Sequence, residues 1–201
     1  MSKNSALTWR VNDIVVASVL AVACGLLYWF WSAIGYDALK TTLILAPEFA
    51  SLFGGVWLLA GVLGGLLIRK PGAALYTELL AAIISALIGT HYSAAVVLSG
   101  LIQGLGAELV FALFLYKVWN LGSSLAAGAA AGLFMGASEF MIYYAGEMTP
   151  DKGLVYTVCG VVSGLFFAGL LAWLLQRALL PTGVLDSLAS GRSRLKPRGG
   201  R

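Results

Sequence analysis

Charge is scarce in this sequence. Aspartate, glutamate, lysine and arginine make up 11% of its 201 residues, 60% are hydrophobic and the mean hydropathy is +0.89. Soluble domains carry about 25% charge, so the composition is that of an integral membrane protein. Histidine is nearly absent too: His91 stands alone, which leaves no His-rich cluster for a metal. The two cysteines, Cys24 and Cys159, fall inside apolar segments, where a thiol behaves as a small hydrophobe rather than a disulfide partner. No H-E-x-x-H, no G-x-S-x-G elbow and no phosphate-cradling G-x-x-x-x-G-K-[ST] occurs, and Ser138 beside Glu139 has no identified histidine base. The chain is therefore expected to be no enzyme, to hold no metal or cofactor, to bind no nucleic acid, and to draw any ATP-driven work from other chains.

What the sequence has is six apolar segments. The first, 14–34, is uncharged and ends in Tyr28, Trp29, Phe30 and Trp31, too long and too aromatic for a cleaved signal peptide. The second, 49–68, stops at Arg69-Lys70-Pro71-Gly72, a turn that cannot readily continue a helix. The third, 73–90, carries Glu78, and His91-Tyr92 mark a tight turn into the fourth, which runs to Lys117. A turn at 120–124 leads to the fifth segment, 125–145, with Glu139. A polar loop at 147–153 precedes the uncharged sixth, 154–176. The expected fold is thus all-α, with six transmembrane helices in one membrane domain, 1–185, and a basic, disordered cytoplasmic tail, 186–201.

Six spans place both ends on one side. Eleven of the lysines and arginines then lie on the side of the termini and two, Lys40 and Lys152, on the other. This asymmetry makes both termini cytoplasmic and the chain a multi-pass protein of the cell membrane.

The fourth segment stands out. Gln103 and Glu108 lie among Gly100, Gly104 and Gly106, about 140° apart around a helix, which suits a helix in the middle of a bundle that offers polar groups to different neighbours. A carboxylate inside a spanning helix faces protein or a water-filled cavity. Gly128, Gly132 and Gly136, and again Gly160 and Gly164, repeat the spacing of four that permits close helix approach.

Depth follows from the rise of about 1.5 Å per residue. Gln103 falls near the midplane, Glu78 and Glu108 in the inner half, Glu139 towards the outer end of the fifth helix, and Glu48 where the outer loop enters the second. The candidate ligand-binding residues are Glu48, Glu78, Gln103, Glu108 and Glu139, flanked by Trp29, Trp57 and Tyr143. Each also has a plainer reading: an interfacial aromatic belt for Trp29, Trp31, Tyr143 and Tyr144, a solvated boundary for Glu48, and helix-joining hydrogen bonds for Glu78 and Glu108.

W-R-V-N-D-I-V-V-A at residues 9–17, G-V-W at 55–57, R-K-P-G-A-A at 69–74 with Glu78, and above all G-L-I-Q-G-L-G-A-E-L-V-F at 100–111 resemble the YkoE-type substrate-binding (S) component of energy-coupling factor (ECF) transporters. The resemblance implies an S-component bundle of six helices. It also implies capture of thiamin or its hydroxymethylpyrimidine precursor at the outer face, and docking on a transmembrane coupling (T) component driven by ATP-binding-cassette ATPases. It further implies a small-residue A-x-x-x-A docking face on the first helix, which Ala17 and Ala21 supply. A cationic thiazolium and an aminopyrimidine call for carboxylates, an amide and aromatic faces, which the candidate residues offer. Two other classes stay open: a self-sufficient secondary transporter with Glu78 and Glu108 as a proton relay, and a structural membrane protein that binds no small molecule.

Overall fold

The computed structural model describes residues 7–89 and 95–195; the turn expected at His91-Tyr92 lies outside them. The described residues are helical, without strands. They form α1 (Val11–Thr42), α2 (Pro47–Ile68), α3 (Ala73–Gly89), α4 (Ala95–Leu113), α5 (Leu121–Tyr144), α6 (Pro150–Thr182) and α7 (Ala189–Leu195). Five of these, all but α3 and α7, are long and apolar enough to cross a membrane, and α3 is a shorter apolar helix.

The centre of the bundle is α2. Of its most apolar stretch 78% is buried, against 28–39% for the other four spans, and it packs on α1, α3, α4, α5 and α6. The expectation that the 99–117 segment holds the middle is therefore corrected: α4 sits between α3 and α5 on one flank. Polar residues reveal interior contacts, but a run of glycine and leucine looks alike in sequence whether lipid or protein surrounds it.

Glycines set the helix spacing as expected. A Cβ on Gly132 would stand 2.1 Å from the Gly160 carbonyl oxygen, and one on Gly164 would stand 2.1 Å from that of Gly128, so α5 and α6 touch backbone to backbone. Gly100 and Gly104 do the same for α4 on α3, meeting Ala82 and the Glu78 Cβ. With little hydrophobic drive between helices in lipid, such close approach supplies much of the association energy.

Ala17 and Ala21 belong to this internal packing. Both are 0% exposed, Ala17 in the main core with Leu58 and Val62 and Ala21 against Ala60 and Ala81. The stripe expected as a docking face is thus covered by this chain's own α2 and α3. The open face of α1 carries Val11, Val15, Val19, Val22 and Leu26.

Where the termini meet the bundle, polar contacts fasten the 69–72 turn. Lys70 and Asp13, both buried, form an ion pair, and Trp9 Nε1 donates to the Pro71 carbonyl at 2.9 Å. Gly72 turns with φ 83°, in the left-handed region that favours glycine. The tail expected to be disordered from 186 onward is ordered through its first part: Leu185, Leu188 and Ser190 are buried, and α7 packs on the lower half of α2. Leu188 supplies the apolar anchor that the basic composition concealed. Residues 196–201 lie outside the described part.

Four helices depart from regular winding. α2 begins as a tight 3-10 helix, Pro47–Leu58, before turning α-helical at Leu59. π-helical segments occupy Trp31–Tyr36 in α1, Phe140–Tyr144 in α5 and Gly164–Leu170 in α6. Long 3-10 runs are uncommon and π segments cluster at functional sites, so these irregularities mark where the chain builds something.

Candidate functional site

A cavity of about 320 Å³ opens at the bundle end opposite the 69–72 turn, at the lower end of the range of about 300–1,000 Å³ for small-molecule sites. Four of its residues, Tyr28, Ser32, Tyr36 and Lys40, come from α1 at intervals of four. In a regular α-helix each such step drifts by about 40°, and three steps would carry Lys40 far from Tyr28. The wider turn of the π segment between Trp31 and Tyr36 absorbs that drift and keeps the four on one side. The π segment of α5 likewise brings Tyr143 and Tyr144 to the cavity beside Glu139.

The remaining lining comes from Trp57 on α2; Glu78, Ala82 and Ser85 on α3; Val96, Ser99, Gly100 and Gln103 on α4; Glu147 after α5; and Tyr156 on α6. Chain direction orders it in depth. Tyr28, Glu78 and Gln103 form the floor, and Lys40 and Glu147 stand at the mouth.

Aromatic rings form the walls. Tyr36 meets Trp57 edge to face with centroids 4.5 Å apart, and Tyr144 tilts on Tyr156 at 5.3 Å. Trp57 is held in place by donating to Ser32 Oγ at 3.0 Å. Lys40 Nζ lies 5.9 Å from the Tyr144 centroid, within cation–π range. Two carboxylates complete the chemistry: half-buried Glu139, which accepts from Tyr156 OH at 2.6 Å, and buried Glu78, which accepts from Tyr28 OH at 3.0 Å and from the Gly61 N–H at 2.6 Å. Such a chamber can stack a flat ring and accept hydrogen bonds or positive charge from it.

Five of the eight candidate residues, Glu78, Gln103, Glu139, Trp57 and Tyr143, line this chamber together. Three stand elsewhere. Glu48 pairs with Lys152 at 3.3 Å, joining the starts of α2 and α6. Trp29, next to Tyr28 on α1, is not among the residues that line the cavity. Glu108 caps the start of α3, accepting from the backbone N–H groups of Gly72 at 2.6 Å, Ala74 at 2.9 Å and Leu75 at 3.3 Å and from Tyr116 OH at 2.8 Å. It satisfies donors that the first turn of any helix leaves orphaned. Burial and the bond to Glu108 push the Tyr116 phenol above its ordinary pKa, so it stays a donor.

Sequence reasoning missed Tyr28, Ser32, Tyr36 and Lys40 as a set, although their spacing of four was a readable signal. Tyr156 carried none, for it is a single polar ring in the uncharged segment 154–176.

Residues 12–134 match the family model described as "ABC-type cobalt transport system, permease component". Over 195 residues, 95% of this chain and 94% of the other, the sequence is 30% identical to YkoE of Bacillus subtilis (strain 168), a candidate HMP/thiamine permease by name. A crystal structure described as that of an S-component of an ECF transporter shares the fold with a TM-score of 0.87 and 30% identity, over 95% of each chain. The cavity, the bundle around it and near-complete matches in sequence and structure lead to one conclusion: this chain belongs to the YkoE-type S-components of ECF transporters, membrane transport proteins and not enzymes.

Proposed function

We propose that this chain captures thiamin or its hydroxymethylpyrimidine (HMP) precursor at the outer face of the cell membrane and hands it over for ATP-driven uptake. In this reading six apolar helices, the five long ones and the shorter α3, span the bilayer and both termini are cytoplasmic. The lysine and arginine asymmetry supports that orientation. It turns the cavity outward and the 69–72 turn inward. The T component and ATPases that S-components work with would meet the chain on surfaces outside the cavity.

One observation carries the choice of cargo: a single chamber walled by Trp57, Tyr36, Tyr144 and Tyr156 also holds the carboxylates Glu78 and Glu139 and the amide Gln103. Aromatic faces and acceptors at that density suit a flat, nitrogen-rich, cationic or donor-bearing ring. The family model's description raises cobalt as a second cargo. Against it, no group of three or more His, Cys, Asp or Glu among the described residues is placed to hold a metal ion. The relay reading of a self-sufficient carrier is weakened because Glu108 is engaged by four donors at the α3 start.

Calorimetric titration of the purified chain with thiamin and with HMP tests the proposal. Saturable binding of either, weakened at least tenfold by Trp57→Ala, is expected; binding of neither refutes it.

A further inference from the structure

We propose that the cavity floor reads a hydrogen-bond donor on the cargo through one oxygen, Glu78 Oε1, and that Tyr28 and an interrupted helix hold that oxygen in place. The inference rests on the reading above, that a small nitrogen-rich ring enters this chamber, and adds which atom selects it.

The interruption lies in α2. Its α-helical part starts anew at Leu59, in the interior of the protein, and runs ten residues to Ile68. A helix start leaves its first N–H groups without partners and carries partial positive charge. Two of these groups are satisfied from outside the helix: the Ala60 N–H donates to Tyr28 OH at 2.8 Å and the Gly61 N–H to Glu78 Oε2 at 2.6 Å. Tyr28 OH in turn donates to the same Oε2 at 3.0 Å. Oε2 is thereby engaged twice.

The other oxygen is left over. Glu78 is 1% exposed, and its Oε1 is buried without a hydrogen-bond partner. An unmade bond on such a group is costly, and Glu78 lines the floor of the cavity. A cargo N–H placed there would supply the missing donor. Gly61 is part of the device, since a Cβ there would stand 3.1 Å from Oε2 and crowd the carboxylate. Tyr28 is a positioning residue: it fixes which oxygen is free.

The consequence is a defined polarity. In Glu78→Gln the amide oxygen must take the place of Oε2 to accept from Tyr28 and Gly61, which turns the NH2 towards the cargo. An acceptor floor becomes a donor floor.

The test compares HMP with an analogue whose ring amino group is replaced by methyl, titrated by calorimetry against the full chain. Wild type should prefer HMP by about tenfold or more. Glu78→Gln should erase that preference, and Tyr28→Phe should cut it about threefold or more. A purely structural Glu78 would move both affinities together and leave their ratio intact, so an unchanged ratio in Glu78→Gln overturns the inference while the proposed cargo stands. If Glu78→Gln does not fold, Tyr28→Phe decides on the same ratio. Wild type binding neither compound would overturn this inference, and binding of neither HMP nor thiamin would overturn the cargo reading with it.

Discussion

Three glutamates that look equivalent in sequence have three different tasks in the structure. Glu139 lines the chamber with one partner, Tyr156. Glu139→Gln removes a charge from the cargo's surroundings and should weaken thiamin binding about 10- to 150-fold, the range for losing one charge-assisted contact. Glu48 is tied to Lys152 outside the chamber, so Glu48→Gln should leave the same titration curve within about twofold. Glu108 serves the fold. Glu108→Ala strands the N–H groups of Gly72, Ala74 and Leu75 and should cost about 1–3 kcal/mol of stability. Denaturant unfolding in detergent would show that loss, with thiamin affinity unchanged in the folded fraction. Sequence identified Glu108 and Glu139 as unusual because a carboxylate in an apolar run is costly wherever it sits, and Glu48 as a boundary residue at the entry to the second segment. It did not separate them, because the separation depends on which backbone groups lie within about 3 Å.

At the scale of elements, apolar run length located the helices and glycine spacing marked α5 and α6 for close approach, which the structure shows to be to each other. Gly132 offers the sharpest check on that contact. A side chain there would collide with the Gly160 carbonyl; Gly132→Leu should destabilise the protein by about 1–3 kcal/mol through overpacking, read as a lowered unfolding midpoint in detergent. What length and spacing could not convey was winding. Nothing in W-S-A-I-G-Y at 31–36 or F-M-I-Y-Y at 140–144 announces a π turn, since regular and widened helices share the same apolar signature. Yet those turns aim Tyr36, Tyr143 and Tyr144 at the chamber. The small-residue stripe on α1 shows the converse. Ala17-x-x-x-Ala21 promises a close neighbour, and the sequence does not say whether that neighbour is another protein or this chain's own α2 and α3.

For the whole molecule, the proposed orientation puts Lys152 outside and Ser193, in α7, inside. Single cysteines at these positions, introduced with Cys24 and Cys159 replaced by alanine, should react with a membrane-impermeant maleimide in intact cells at Lys152→Cys only. At Ser193→Cys they should react only after the membrane is opened, and the reverse pattern would invert the topology. What the chamber holds is the most direct test of the proposed function. Parallel calorimetric titrations of the purified chain with HMP, thiamin and cobalt(II) should give saturable one-to-one binding for at least one of the two organic compounds, lost in Trp57→Ala, and no saturable signal for cobalt. Tight cobalt binding with no response to either organic compound would contradict it.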